Sequence, residues 1–305
     1  MLIMGRLLWR FSGFIEILRI HNLLASAVAT LLGFMTVYAG SRSELSLSTS
    51  LIPISVVVLV AGGGYVINDY FDVVTDSINK PTRPIPSGRV LKDEALLLSI
   101  ALMTLGIILA TLIGVVSFAY ALINALLLVV YSKNLKRAGL VGNLVVSTAS
   151  ANSILYGGLA ASEYLGRFQL ISYTAPPVAY AFIFTLMREI IKGVEDYVGD
   201  LKSNIKTLAV IKGVKYASNI SISLMILIIT SSPIPYILGL YGIMYLILTA
   251  CMDVILMLSI ITLIRGSNTD ELIRRAALVR SYTKAAMFLG ILAFLTDISL
   301  CVLTS

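Results

Sequence analysis

The chain has 305 residues, 58% of them hydrophobic and 13% charged, with a formal net charge of +7 and a mean hydropathy of +0.95. So much apolar surface cannot be hidden in one water-soluble core, and its long apolar runs do not match the short alternating strands of a transmembrane barrel. An all-α, polytopic membrane protein is therefore expected. One histidine, His21, and two cysteines, Cys251 and Cys301, give almost no material for a His-ligated zinc, a Ser-His-Asp triad or a disulfide framework. Any chemistry falls to carboxylates, lysines, arginines and tyrosines.

The chain opens, within residues 1–21, on "RLLWRFSGFIEILRI", which predicts an interfacial amphipathic helix. Glu16, Arg19 and His21 interrupt the apolar core that a cleavable signal would need. Nine apolar spans follow, at 22–39, 51–68, 95–113, 115–131, 141–160, 171–188, 217–231, 234–263 and 285–303. The third and fourth form a tight hairpin, and the seventh stops near Pro233 and Pro235, which interrupt helices. Before the ninth span, "DELIRRAALVR" predicts a cytoplasmic helix able to cap a site. Under this count all but Arg42 and Arg167 of the 23 lysines and arginines fall on one side, which places the N-terminus in the cytoplasm and the C-terminus outside. The same one-sidedness accounts for the positive charge without a nucleic-acid partner.

Two acidic groups stand on that side. Asn68, Asp69, Asp72 and Asp76 end the second span in "NDYFDVVTD", and Glu189, Glu195, Asp196 and Asp200 follow the sixth. Every fourth residue of a helix returns to nearly the same face, so Asn68, Asp72 and Asp76 form one stripe and Lys192, Asp196 and Asp200 another. Like charges at that spacing repel, so a positive group must occupy each stripe or the helices lose stability. A basic, turn-rich loop follows each group, "INKPTRPIPSGR" and "LKSNIKTLAVIKG". The recurrence after four spans predicts an internal repeat of spans 1–4 and 5–8, with the ninth added. Carboxylates without histidine or thiolate suit Mg²⁺, which is commonly held by one or two carboxylates plus substrate phosphate. Arginines and lysines nearby complete a diphosphate site, and a diphosphate bound to a membrane protein points to a polyprenyl diphosphate. The run "AGGG" at 61–64, just before the first stripe, predicts close helix packing or, less in keeping with a single glycine, room for a chain.

These residues carry a resemblance. "NDYFDVVTDSINKPTRPIPSG" resembles the first signature of the UbiA-type intramembrane prenyltransferases, and "KGVEDYVGD" the second; "YSKNLKR" and "KTLA" also match. The resemblance implies one transmembrane prenyltransferase domain over residues 1–305, nine helices around a lipid-open cavity, and two Mg²⁺ ions bridging the diphosphate. By position it implies that Asn68, Asp72 and Asp76 hold one metal, that Asp196 and Asp200 hold the other, and that Asp69 supports them from behind. Arg83, Lys136 and Lys206 take basic positions suited to the diphosphate, and Tyr131 one near the ionising bond. Lys192 is either a phosphate contact or a neutraliser of Asp196. Tyr65, Tyr131 and Tyr180 each either offer an aromatic face to a prenyl cation or serve core packing.

Within the family, "RIHN", "NKPTRPIPSGR" and "REIIKGVEDYVGD" look most like the archaeal group that prenylates a glycerol ether phosphate, although Gly193 stands where that group usually carries an acid. The expected reaction is transfer of a prenyl group, expected as geranylgeranyl, to the glycerol hydroxyl of geranylgeranylglyceryl phosphate. Arg19, Lys133, Arg137 and Lys202 are bases spare for the acceptor's phosphate, or serve topology alone. An aromatic acceptor of quinone synthesis, hydroxybenzoate or naphthoate, is the nearer alternative. A cation-coupled transporter is the remoter one, since Asp253 and Asp297 lie inside apolar spans, where they are either functional acids or hydrogen-bonded structural ones.

Overall fold

The computed structural model describes residues 2–41, 46–203 and 205–304, with side chains described over 8–40, 46, 48–78, 80–136, 138–203 and 205–300. Arg42 and the side chains of Arg6, Arg137 and Cys301 lie outside the described residues. Among the described residues there is no strand, and nine helices or helix pairs are long and apolar enough to cross a membrane. The nine predicted spans thus each have a helical counterpart. The chain divides into two compact units.

The first unit comprises Met1–Val37, Glu44–Asn134 and Ser153–Ile171. Its helices are α1 (Leu2–Leu18), α2 (Ile20–Ser41), α3 (Leu51–Asn79), α4 (Lys92–Ala110), α5 (Val115–Lys133) and the C-terminal half of α6 (Leu140–Tyr164). Val56, Val60 and Ile67 of α3 pack with Met103 of α4, Ala121 and Ala125 of α5, and Tyr156 and Ala160 of α6. Between α4 and α5 only residues 111–114 intervene, as the hairpin reading expects. The free amides that open α5 are taken by Glu163, whose Oε1 accepts from Val116 N at 3.0 Å and whose Oε2 accepts from Ser117 N at 2.8 Å. A carboxylate there satisfies orphan donors and complements the positive end of the helix dipole.

Glycines set the closest approaches. A Cβ on Gly63 would stand 2.5 Å from Met103 Cγ and 2.9 Å from the Ser99 carbonyl oxygen, and Ser99 Oγ donates to Gly63 O at 2.8 Å. The "AGGG" run therefore serves packing at Gly63. The α2–α6 crossing is tighter still: a Cβ on Gly33 would meet Ile154 O at 1.8 Å, and one on Gly157 would meet Thr30 O at 1.9 Å.

The second unit comprises Tyr38–Ser43, Leu135–Asn152 and Ser172–Ser305. It contains α7 (Ala175–Glu195), α8 (Tyr197–Lys202), α9 (Leu208–Lys212), α10 (Val214–Ser231), α11 (Ile234–Ile237), α12 (Ile243–Ile264) and α13 (Thr269–Thr304). Met187, Ile190, Ile191 and Val194 of α7 share a core with Met225 and Ile228 of α10, Leu256 of α12 and Ala276 and Val279 of α13.

Two expectations change here. The eighth span begins at Ile243 rather than 234, because Pro233, Pro235 and Gly239, whose φ is +70°, confine the intervening chain to one short turn of helix. The "DELIRRAALVR" segment is no separate capping helix but the start of the 36-residue α13. It lacks glycine and proline, Asn268 Oδ1 accepts from Glu271 N at 2.9 Å, and Glu271 pairs with Arg275 at 2.6 Å, so the helix starts firmly and has no reason to stop. The acids inside the spans are hydrogen-bonded. Asp253 Oδ2 accepts from Ser232 Oγ at 2.6 Å, and Asp297 Oδ2 accepts from Gly242 N at 2.8 Å, at the entrance to α12.

Glycine replacements should separate these packing roles. Gly157→Ala forces two backbones apart and is expected to lower the thermal midpoint in detergent markedly. Gly62→Ala, whose added carbon meets nothing nearer than 3.7 Å, should leave it unchanged or raise it, since alanine is favoured over glycine in a helix by about 1 kcal/mol.

Candidate active site

The first acidic group belongs to α3, which runs on as one helix to Asn79, well past the apolar stretch expected to end at 68. Its 29 residues rise about 43 Å, more than the ~30 Å hydrocarbon layer. The acids are therefore carried on a rigid helix rather than on a loop. Asp69, Asp72 and Asp76 are all buried, and the unit supplies counter-charges from its own chain. Arg83 Nη1 lies 2.5 Å from Asp76 Oδ2 and 3.5 Å from Asp69 Oδ1. Arg19 Nη2 lies 2.5 Å from Asp69 Oδ1. Asn68 Nδ2 donates to Asp72 Oδ2 at 3.1 Å, which confirms the 68–72 register.

Local sequence explains how the two arginines arrive. After α3 the chain turns back through Lys80 N to Asp76 O and Arg83 N to Lys80 O, at 2.8 and 3.0 Å. Pro84 disfavours helix at Arg83, and Gly88 adopts a φ of +77°. Ile85 and Val90 anchor the loop in a cluster with Ile17, Val66 and Ala95. Arg89 closes it, donating to Glu16 Oε2 and to Thr82 O, each at 2.5 Å. Arg19 occupies the break between α1 and α2 with a φ of +52°, a conformation that costs a non-glycine residue on the order of 1–2 kcal/mol. Its guanidinium contacts Asp69 and sits 5.4 Å from the centre of the Tyr65 ring. Arg19 is therefore not the spare base that the sequence suggested; it is bound to Asp69. Asp69 in turn stands behind Asp76, held by both arginines.

The second acidic group sits where α7 gives way to α8. Asp196 has non-helical torsions, φ −82° and ψ 3°, yet its N–H still bonds Lys192 O at 2.8 Å, and Asp200 N bonds Asp196 O at 2.9 Å. Helical spacing thus survives the joint, and the predicted stripe holds. The neighbouring acids are paired elsewhere: Glu189 Oε2 with Lys192 Nζ at 3.4 Å, and Glu195 Oε2 with Arg280 Nη1 at 2.9 Å. Lys192 accordingly pairs with Glu189 rather than Asp196. Burial, then the Asp196 carboxylate, pushes the Asp200 carboxyl up to about 6, against a hydrogen bond with Thr207 and the charge of Lys192. Thr207 also accepts from Val210 N at 3.4 Å to start α9.

The basic motifs of this unit meet through a glycine. Gly139 has a φ of +60°, and a Cβ there would fall 2.1 Å from Lys206 O, so the loop that carries Lys136 lies directly against the loop that carries Lys206. Both lysines are exposed. Tyr131, half-buried near the end of α5, belongs to the first unit. An apolar cleft of about 470 Å³ opens in the second unit, lined by Thr148, Ala151 and Asn152 of α6 and by Val178, Ala179, Phe182 and Ile183 of α7.

The donor set fits Mg²⁺. It consists of oxygens only, and Asp196 and Asp200 form a like-charged pair whose second member is driven toward protonation, as expected where a cation is wanted. The sequence missed Arg19 as the partner of Asp69, Thr207 as the partner of Asp200, and Glu163 as a cap. Only the first left a trace, a lone arginine in the break between two apolar helices.

Comparison with known proteins extends this reading. The UbiA prenyltransferase family matches residues 26–292. The digeranylgeranylglyceryl phosphate synthase of Hyperthermus butylicus is 42% identical over 291 residues, which cover 94% of this chain and 96% of that protein. A solved structure described as giving mechanistic insight into digeranylgeranylglyceryl phosphate synthase in membranes superposes with a TM-score of 0.74 at 31% identity, covering 95% of this chain and 98% of that one. A UbiA homologue from Archaeoglobus fulgidus bound to GPP and Mg²⁺ shares the fold, with a TM-score of 0.61 at 16% identity over 90% of this chain and 99% of that one.

A double-mutant cycle should measure the Asp69 pair. Asp69→Ala removes the carboxylate shared by Arg19 and Arg83, and Arg19→Ala leaves the buried Asp69 with Arg83 alone, so each should cost on the order of 2–4 kcal/mol in unfolding from detergent. The double variant should cost clearly less than the sum of the two. Additive losses would mean that the pair is not coupled.

Proposed function

This chain belongs to the UbiA prenyltransferase family and is a multi-pass membrane enzyme, and from that premise we propose that it transfers a geranylgeranyl group from its diphosphate to the glycerol hydroxyl of geranylgeranylglyceryl phosphate. The observation that carries the proposal is the 42% identity, over nearly the full length of both chains, to a digeranylgeranylglyceryl phosphate synthase. The placement of the first acidic group on the long α3 and of the second at the joint of α7 and α8, each with basic loops of its own unit, supports it.

In this reading Asn68, Asp72 and Asp76 hold one Mg²⁺, and Asp196 and Asp200 hold a second. Bound there, the ions neutralise charge on the diphosphate and make it a better leaving group. Asp69 keeps Arg19 and Arg83 in place, so that Arg83 presents its guanidinium beside Asp76. Arg83, Lys136 and Lys206 attract the diphosphate oxygens, and their attraction strengthens as the allylic C–O bond breaks and its electron pair departs with the diphosphate. The ring of Tyr131 faces the positive prenyl carbon, where an aromatic face is favourable. Apolar helices exclude water that would otherwise capture that carbon. The glycerol oxygen forms the new C–O bond, and its proton passes to the departing diphosphate. The reaction takes place at the cytoplasmic face, the side on which the lysines and arginines collect.

Purified protein given geranylgeranyl diphosphate and Mg²⁺ is expected to prenylate geranylgeranylglyceryl phosphate. Asp72→Ala or Asp196→Ala should each reduce turnover by at least about a hundredfold and weaken Mg²⁺-dependent diphosphate binding. Product with 4-hydroxybenzoate or a naphthoate, and none with the glycerol phosphate, would overturn the acceptor. Unchanged turnover in both variants would overturn the metal assignment.

A further inference from the structure

Arg188 lies on α7 one turn before Lys192 and two turns before Asp196, so the three share one stripe. Its Nε is buried and has no hydrogen-bond partner. Its Nη1 reaches only the Met287 thioether sulfur, at 3.3 Å, a weak acceptor. The charged groups whose fields act on it are Glu189, which favours the cation, and Arg280, which opposes it; Glu189 makes its ion pair with Lys192 at 3.4 Å, and Arg280 pairs with Glu195. Glu189 and Glu195 are thus each paired with another cation, and among the described contacts Arg188 has no ion-pair partner. An arginine inside a membrane-spanning helix without an anion is a costly arrangement, and one retained for a ligand more readily than for the fold. Its planar fork matches a phosphate.

We propose that Arg188 binds the phosphate monoester of the lipid acceptor, at a place separate from the diphosphate of the donor. This rests on the glycerol phosphate acceptor proposed above. The eight-residue interval from Arg188 to Asp196 rises about 12 Å along the helix, roughly twice the reach of an arginine side chain. A phosphate on Arg188 therefore does not coincide with a diphosphate held at Asp196 and Asp200. Two anions that repel each other each obtain a counter-charge, one from metal-bearing carboxylates and the other from a guanidinium that needs no metal.

The test compares wild type with Arg188→Gln and Arg188→Lys, using geranylgeranylglyceryl phosphate and its unphosphorylated alcohol as acceptors. Arg188→Gln should raise the KM for the phosphorylated acceptor by about ten- to a hundredfold, leave the donor KM unchanged, and abolish the preference for the phosphorylated acceptor. Arg188→Lys, which keeps the charge but loses the fork, should fall between. Without Mg²⁺, the phosphorylated acceptor should raise the thermal midpoint of the wild type and not that of Arg188→Gln; if the glutamine variant does not fold, the lysine variant must still show a reduced shift. A raised donor KM with unaltered acceptor preference, or a loss of kcat or stability alone, overturns the inference. A wild type that ignores both glycerol lipids and prenylates an aromatic acid overturns the proposed function, and this inference with it. A wild type that prenylates the phosphate lipid while Arg188→Gln keeps its preference overturns the inference alone.

Discussion

Three carboxylates buried on a single helix are the constraint from which the first unit follows. Asp69, Asp72 and Asp76 stand within eight residues of α3, where like charges at that spacing would destabilise the helix. The protein meets the repulsion with cations of its own. Arg83 returns on a proline-rich loop to bridge Asp69 and Asp76, and Arg19 comes from the break between α1 and α2 to hold Asp69. The strained backbone of Arg19, the docking of α1 and the Arg89 clasp on the loop all serve to keep those two guanidinium groups in place. Asp69 is held by both arginines, Asp76 by a short contact to Arg83, and Asp72 accepts from Asn68 Nδ2.

The second unit treats a similar stripe differently. Its helix breaks at Asp196, its outlying acids are drawn off by Lys192 and Arg280, and Asp196 and Asp200 are left together, with Thr207 on Asp200. One group is thus met mainly by arginine, and the other by the Thr207 hydrogen bond and the charge of Lys192.

Acids inside the spans follow a simpler logic. Where a helix begins within a bilayer, no water is at hand for its first amides, so a side chain must accept from them. Glu163 does this for α5 and Asp297 for the start of α12, while Asp253 bonds the serine at the end of α10. Each marks an interrupted or adjoining helix. Glu163 and Asp297 thus accept from backbone amides, whereas Asp253 keeps its second oxygen, Oδ1, buried without a hydrogen-bond partner.

The sequence by itself determined the number of spans and the faces on which the acids line up. These depend on bilayer thickness and on the period of a helix, both of which act over a few neighbouring residues. It misjudged where helices end when the stop signal was absent, as between the "DELIRRAALVR" segment and the ninth span. Only the tertiary structure decided which cation meets which acid: Arg19 lies fifty residues from Asp69, and Arg280 eighty-five from Glu195. An ion pair is governed by distance in space, which helix packing sets, and the same packing left Arg188 with a sulfur atom in place of an anion.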